Sequence, residues 1–381
     1  MTAVGDADAV VARDRGRLLW HLAHAGAELR SADQYARAGE FQRWDPEGLD
    51  LGGPPRAVLI ATDEPTSLVA DLLLTLAAPV APVTVLRSPQ LPRFAGAADA
   101  AVVVSLDGRH PRLIALVEQA ARRGCSLLVV APLGSPVAAA AGRAVVVDLP
   151  TGTSPRAAGW SALGPVLLAA GVWRLTAVGP RLLDDIATAL DEISHACRPG
   201  SDAVANPARA LAEEFAEAQA VLVGVGPLAA VAASRFALAL RLLAGRPAVA
   251  LDLPADIAQV TSLLAVPGRT EADFFRDRLD EPTSRPRVLL IGSDTRPDDP
   301  DLGVHDGGVE NAAAEQEAFT AARVVEQAAT VAAVRATTLD VPPGDPLVRF
   351  AAAVQLGLFT ATYLALALDT APSAPRPGEF V

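Results

Sequence analysis

The densest group of chemistry-bearing side chains lies in one short stretch, Ser105-Leu106-Asp107-Gly108-Arg109-His110-Pro111. A hydroxyl, a carboxylate, a guanidinium and an imidazole in one loop suit oxyanion binding or proton transfer. Pro111 fits the first position of a helix, which sets Arg109 and His110 at a helix N-terminus, where free N–H groups favour an anion. Arg109 adds a two-donor grip suited to phosphate. The alternative is a plain turn, closed by Asp107, with Arg109 and His110 facing water.

Other stretches carry less. Gly224-Val225-Gly226-Pro227 permits close backbone approach, but no third glycine follows at dinucleotide spacing and Pro227 removes a donor. His21 and His24 are expected on one face of an opening helix, packed beside Trp20, since two ligands alone do not make a metal site. Residues 294–308 are rich in carboxylates without calcium-loop spacing and read as an acidic surface loop. Glu213, Glu214 and Glu217 suit a solvated helix face. No metal or cofactor is expected. Lysine does not occur, so all 32 basic residues are arginine and Schiff-base or P-loop lysine chemistry is excluded.

The elements that must position the 105–111 loop follow from the apolar pattern. The 381 residues suit two domains, and at 51% apolar each half can bury a core. Short continuous apolar runs at 56–61, 82–86, 100–105, 126–131 and 143–148 alternate with helical stretches at 66–78 and 110–124. Runs without in/out alternation are strands covered on both faces, so the pattern predicts a parallel sheet wrapped by helices. Helices are expected at 13–29, 156–171 and 180–197, with another opened by Asn206 and Pro207. The alternation restarts with strands at 220–225, 247–251, 287–291 and 330–334, and helices at 228–243 and 346–368. The fold class is therefore α/β, in two tandem units. The expected division is 1–177, 178–371 and a Pro-rich tail at 372–381. In such sheets ligands bind beyond the C-terminal strand ends, so 62–66, 106–111, 132–135 and 224–227 are the loops of interest.

The net charge of −12 opposes nucleic-acid binding. Cys125 and Cys197 stand apart and read as buried thiols of a reducing compartment. Apolar stretches are broken by Asp71, Pro79 and Pro82, short of the roughly 20 residues a membrane span needs. With acidic residues near the N-terminus in place of a signal sequence, a cytoplasmic protein without membrane contact is expected.

The order of features resembles the two-SIS-domain bifunctional phosphoglucose/phosphomannose isomerases. SIS denotes the sugar isomerase domain, which here would occur twice, each a parallel sheet flanked by helices. In that family a strand enters a Ser-Tyr-Ser-Gly-Asn-Thr phosphate loop, and residues 103–110 hold its place here. The family's Pro-x-Gly-x-x-Pro-Arg stretch is matched by Pro150-Thr151-Gly152-Thr153-Ser154-Pro155-Arg156. The resemblance continues through Asn206–Ala212 and residues 231–236 to the closing helix at Gln355–Phe359 and Tyr363–Leu366. It implies a homodimer that interconverts glucose- or mannose-6-phosphate with fructose-6-phosphate through an enediol. It also implies Arg156 as the functional arginine, and Thr66, Ser105, Asp107, Arg109 and His110 as the substrate-binding positions.

Departures from the family pattern concentrate in proton transfer. The Gly-Gly-Ser phosphate run is replaced by Asp63-Glu64-Pro65-Thr66, with two carboxylates and a proline where donors belong. Leu242 stands in place of the general-base glutamate, 253–257 lacks the family's histidine, and the C-terminal lysine is absent. Each positioned acid or base contributes about 10²–10⁴-fold, so their joint loss removes isomerisation by that route. Three readings follow. The first is a catalytically impaired member that binds a sugar phosphate or similar anion. The second is an active isomerase with proton transfer moved to Asp107, His110 or His305. The third is a structural or interaction protein without ligand.

Overall fold

The computed structural model describes residues 7–37, 54–77, 83–149, 158–176, 178–202, 205–265, 286–292 and 308–370. The chain forms two units, one of residues 21–191 and one of residues 1–20 with 192–381. The division falls inside the helix at 180–196, beyond the expected boundary at 177. The N-terminal residues also join the second unit, which no local pattern in the sequence indicates.

The opening segment differs from the single helix expected at 13–29. It forms α1 (Ala7–Arg13), α2 (Leu18–Ala23) and α3 (Ala25–Arg37). The break has a local cause. The Asp14 carboxylate accepts from the N–H groups of Leu18 at 2.8 Å and Leu19 at 2.9 Å, and so caps a new helix. Arg17 takes a positive φ of 51° at the junction. His21 lies on α2 and His24 follows its end, so the two histidines do not share one helix face.

The first unit continues with β1 (Ala57–Thr62), α4 (Ser67–Ala77), β2 (Thr84–Arg87), β3 (Ala100–Val104) and α5 (Pro111–Arg122). Then come β4 (Ser126–Val130), α6 (Pro136–Ala140), β5 (Val145–Val147), α7 (Ala158–Val172) and α8 (Pro180–Ala196). The strands are all parallel, in the order β2-β1-β3-β4-β5. β3 and β4 are buried along their whole length because helices cover both faces. Val69, Leu73, Val166 and Trp173 pack on one face; Leu113, Leu116, Val117 and Val137 pack on the other.

The second unit contains α9 (Pro207–Glu217), β6 (Gln219–Val225), α10 (Pro227–Ala244), β7 (Ala248–Leu253) and α11 (Ile257–Leu264). It ends with β8 (Pro286–Ile291), α12 (Gly308–Val331), β9 (Ala336–Thr338) and α13 (Pro346–Ala367). Its sheet is again parallel, in the order β7-β6-β8-β9. Asn206 caps α9 as expected, its Oδ1 accepting from Arg209 N at 3.1 Å. The strand expected at 330–334 is instead a helix end. Ala333 adopts a φ of 53° and Val334 N donates to Ala329 O at 2.9 Å, which closes α12 and delays β9 to residue 336. α10 and α13 are long and apolar enough to cross a membrane by composition alone. α13 is nonetheless the core helix of this unit, packed against α9 and α10 and buried over most of its length.

Candidate functional site

In the first sheet the chain steps from β1 outward to β2, then returns to β3 on the other side of β1. The strand order thus reverses between β1 and β3, the usual place for a ligand in an open α/β sheet. Thr62 pairs with Val104, so the loops after β1 and β3 start at the same height. They bring together Asp63, Thr66, Ser105 and Leu106.

The centre of this arrangement is the Asp63 carboxylate. Its Oδ2 accepts from Ser105 Oγ at 2.9 Å and from Leu106 N at 2.6 Å. Its Oδ1 accepts from Thr66 Oγ1 at 2.6 Å and Thr66 N at 3.3 Å. Thr66 and Ser105 are fully buried, whereas Asp63 retains partial exposure. Two hydroxyls and two backbone N–H groups from two separate strands thus converge on one anionic group, which is how a protein holds an oxyanion.

The rest of the loop is tied to itself. Ser105 Oγ accepts from Gly108 N at 3.1 Å, Asp107 Oδ1 accepts from Arg109 N at 2.9 Å, and His110 Nδ1 accepts from Arg112 N at 3.3 Å. His110 is the N-cap of α5 and Pro111 takes its first position, as the sequence indicated. The side chains of Asp107, Arg109 and His110 are exposed. Thr66 and Ser105, both named as candidate binding positions, meet through Asp63. Arg109 and His110 instead stand at the rim, and the N–H groups of Arg109 and Arg112 already have partners within the loop. Arg156 and the whole 150–156 stretch lie outside the described residues, as do His305 and most of the acidic loop at 294–308.

Sequence reasoning treated Asp63 only as a charge that repels phosphate and missed its role as the acceptor. The available signal was its spacing: an Asp just past a strand and three residues before a hydroxyl can reach both that hydroxyl and the N–H beside it.

Gly108 holds the loop in shape. Its φ is +64°, and a Cβ there would lie 2.1 Å from Ser135 Oγ. Ser135 is itself fixed, since it caps α6 by accepting from Ala138 N at 3.3 Å. Gly108→Ala is expected to destabilise the protein by about 2–4 kcal/mol, from left-handed strain and overpacking together. Thermal or urea unfolding checks this; a change within error would mean that the loop moves freely away from α6.

The second sheet reverses its strand order in the same way, between β6 and β8. Gly224 is required there for helix packing, because a Cβ would approach the backbone of Ala230 to 2.3 Å. Gly224 thus lets α10 lie close on β6. Leu242, which the sequence resemblance set in place of a general base, is an exposed residue of α10, with a relative exposure of 46%. In 253–257, the Asp256 carboxylate is engaged locally, accepting from Asp252 N at 2.9 Å and from Gln259 Nε2 at 2.6 Å. Burial raises the pKa of both thiols, that of Cys197 to about 12, which leaves neither suited to nucleophilic chemistry. Among the described residues, no three His, Cys, Asp or Glu side chains converge as a metal site.

Residues 204–376 match the family model for the bacterial phospho-glucose isomerase C-terminal SIS domain. No curated protein matches the chain in sequence. Among solved structures it is similar to tagatose-6-phosphate ketose/aldose isomerase from Escherichia coli, at 13% identity and a TM-score of 0.59 over 94% of this chain and 96% of that one. It is also similar to a protein of Silicibacter pomeroyi assigned to the phosphosugar isomerases, at 17% identity and a TM-score of 0.58 over 93% and 98%. A third is the C-terminal domain of glucosamine-fructose-6-phosphate aminotransferase from Francisella tularensis, at 9% identity and a TM-score of 0.56 over 92% and 96%. The structural likeness spans both units and shows the fold they share with these proteins, and the family match assigns residues 204–376 of the second unit to the bacterial phospho-glucose isomerase C-terminal SIS domains.

Proposed function

We propose that this protein binds a phosphorylated sugar without isomerising it. The observation that carries the binding half is the oxyanion seat made by Thr66, Ser105 and Leu106 where the strand order reverses between β1 and β3. The names of the similar structures point to phosphosugars as the ligand class. The catalytic half rests on the matched domain, where Leu242 replaces the base expected from the resemblance and 253–257 carries no histidine. Arg156 belongs to the proposal as a phosphate partner, and Arg109 and His110 as rim contacts. A cytoplasmic homodimer completes it, by resemblance to the family.

Two measurements test it. A coupled assay with fructose-6-phosphate, glucose-6-phosphate and mannose-6-phosphate is expected to show no turnover above background. A turnover that vanishes in Arg156→Ala would sink the catalytic half. In a thermal-shift titration, fructose-6-phosphate at about 100 times its Kd is expected to add about 2.7 kcal/mol of stability. No shift at millimolar concentrations of all three ligands would sink the binding half.

A further inference from the structure

The donors that would hold a phosphate group are already engaged by a side chain of the same protein. We propose that Asp63 is a built-in ligand: its carboxylate sits in the oxyanion seat, and a phosphate group enters only when Asp63 leaves. This rests on the placement of the ligand seat given above and adds an autoinhibitory contact to it.

The argument is one of occupancy and charge. A carboxylate and a phosphate present the same kind of anionic oxygen to the same donors. The seat supplies Ser105 Oγ and Leu106 N to one oxygen of Asp63, and Thr66 Oγ1 and Thr66 N to the other. Each donated hydrogen serves Asp63 or a phosphate, not both at full strength. An incoming phosphate also meets a fixed negative charge at hydrogen-bond range, with Glu64 beside it on the exposed side. Among the described residues the Asp63 side chain is held by these four bonds, and it keeps partial exposure. The seat is therefore a competition between a tethered anion and a free one. Tethering gives the internal carboxylate a high effective concentration, so the wild-type affinity for a bare phosphate is weak.

Isothermal titration of the full chain with inorganic phosphate tests the proposal. Wild type is expected to bind with a Kd above about 10 mM, and Asp63→Gly, which vacates the seat, at about 1 mM or tighter, a tenfold gain or more. Adding Ser105→Ala to Asp63→Gly removes the gain. Asp63→Asn separates vacancy from charge. It stays in the seat and presents an N–H₂ toward donors on one side, so it gains little. Asp63→Ser is the second vacating variant, used if the glycine form fails to melt cooperatively. Folded vacating variants without a Ser105-dependent gain would overturn the proposal. So would a wild type that already binds phosphate through Ser105 as tightly as they do. Isomerase turnover by wild type would defeat the reading of function and leave this titration to stand by itself.

Discussion

Replacing Glu28 by Gln is expected to stabilise the protein by about 3 kcal/mol at pH 8 and to change little at pH 4. Glu28 lies on α3 and accepts a hydrogen bond from Ser161 Oγ of α7 at 3.0 Å. Burial between the helices pushes its carboxyl from 4.5 up to about 7, although the Ser161 bond pulls the other way. The folded state therefore binds the Glu28 proton more tightly than the unfolded chain does. The stability so contributed is complete below pH 4.5, declines as pH rises toward 7, and is gone above that. Gln keeps an acceptor for Ser161 and has no charge to bury, so it retains the benefit at alkaline pH. Urea unfolding of both proteins at pH 4, 6 and 8 reads this directly. A variant whose stability follows the wild-type pH curve would show that Glu28 is not the group responsible. The nearby ion pairs of Arg30 with Asp184 and Asp191 are partly exposed and form between the same helix and α8, so their variants serve as controls.

Glu214→Ala is the most damaging single change expected in the second unit, at about 3–5 kcal/mol. Arg287, at the start of β8, has a side chain only 5% exposed. Its Nε donates to Glu214 Oε2 at 2.7 Å, and its other nitrogens donate to Val288 O, Arg335 O and Thr337 Oγ1. Removing Glu214 leaves that buried guanidinium with neutral acceptors only. Arg335 also pairs with Glu214, at 2.9 Å, but its side chain is 66% exposed. Arg335→Ala is accordingly expected to cost less than about 1 kcal/mol. The double variant Glu214→Ala with Arg287→Met should recover most of the loss, because the unpaired charge is gone. Equal effects for Glu214→Ala and Arg335→Ala would show that burial of Arg287 is not what matters. The cluster lies in the second unit and the proposed ligand seat in the first, so ligand binding should survive in every variant that folds.

Much of this architecture was legible in the residues. The runs at 56–61, 100–105 and 126–131 lack alternation because helices cover both faces of the sheet, and burial of that kind leaves its mark in the sequence. Asn206-Pro207 and His110-Pro111 announce helix starts because capping is local chemistry. Elements decided by the hydrogen bonds of a single side chain were harder to read. Asp14 divides the opening helix through its side chain, against a pattern that supports one continuous helix. The β-branched residues near 330 favour a strand, yet Thr330 Oγ1 bonds back to Glu326 O and the helix runs on. At the candidate site, the loop after β3 was found from its residue types. The role of Asp63 was legible only in its spacing to Thr66; its bonds to Ser105 and Leu106 depend on β1 and β3 being neighbours, which only the strand order reveals.

The discontinuous second unit bears on how the chain is made. α1 packs against α13, although more than three hundred residues separate them in sequence. During synthesis on the ribosome, the 21–191 segment emerges with its whole sheet and can fold at once. The α1 helix, already outside the exit tunnel, must wait for its contact with α13 until that helix has been translated. A segment made before the 21–191 unit thus finds its place after that unit, and its contact with α13 closes the second unit late.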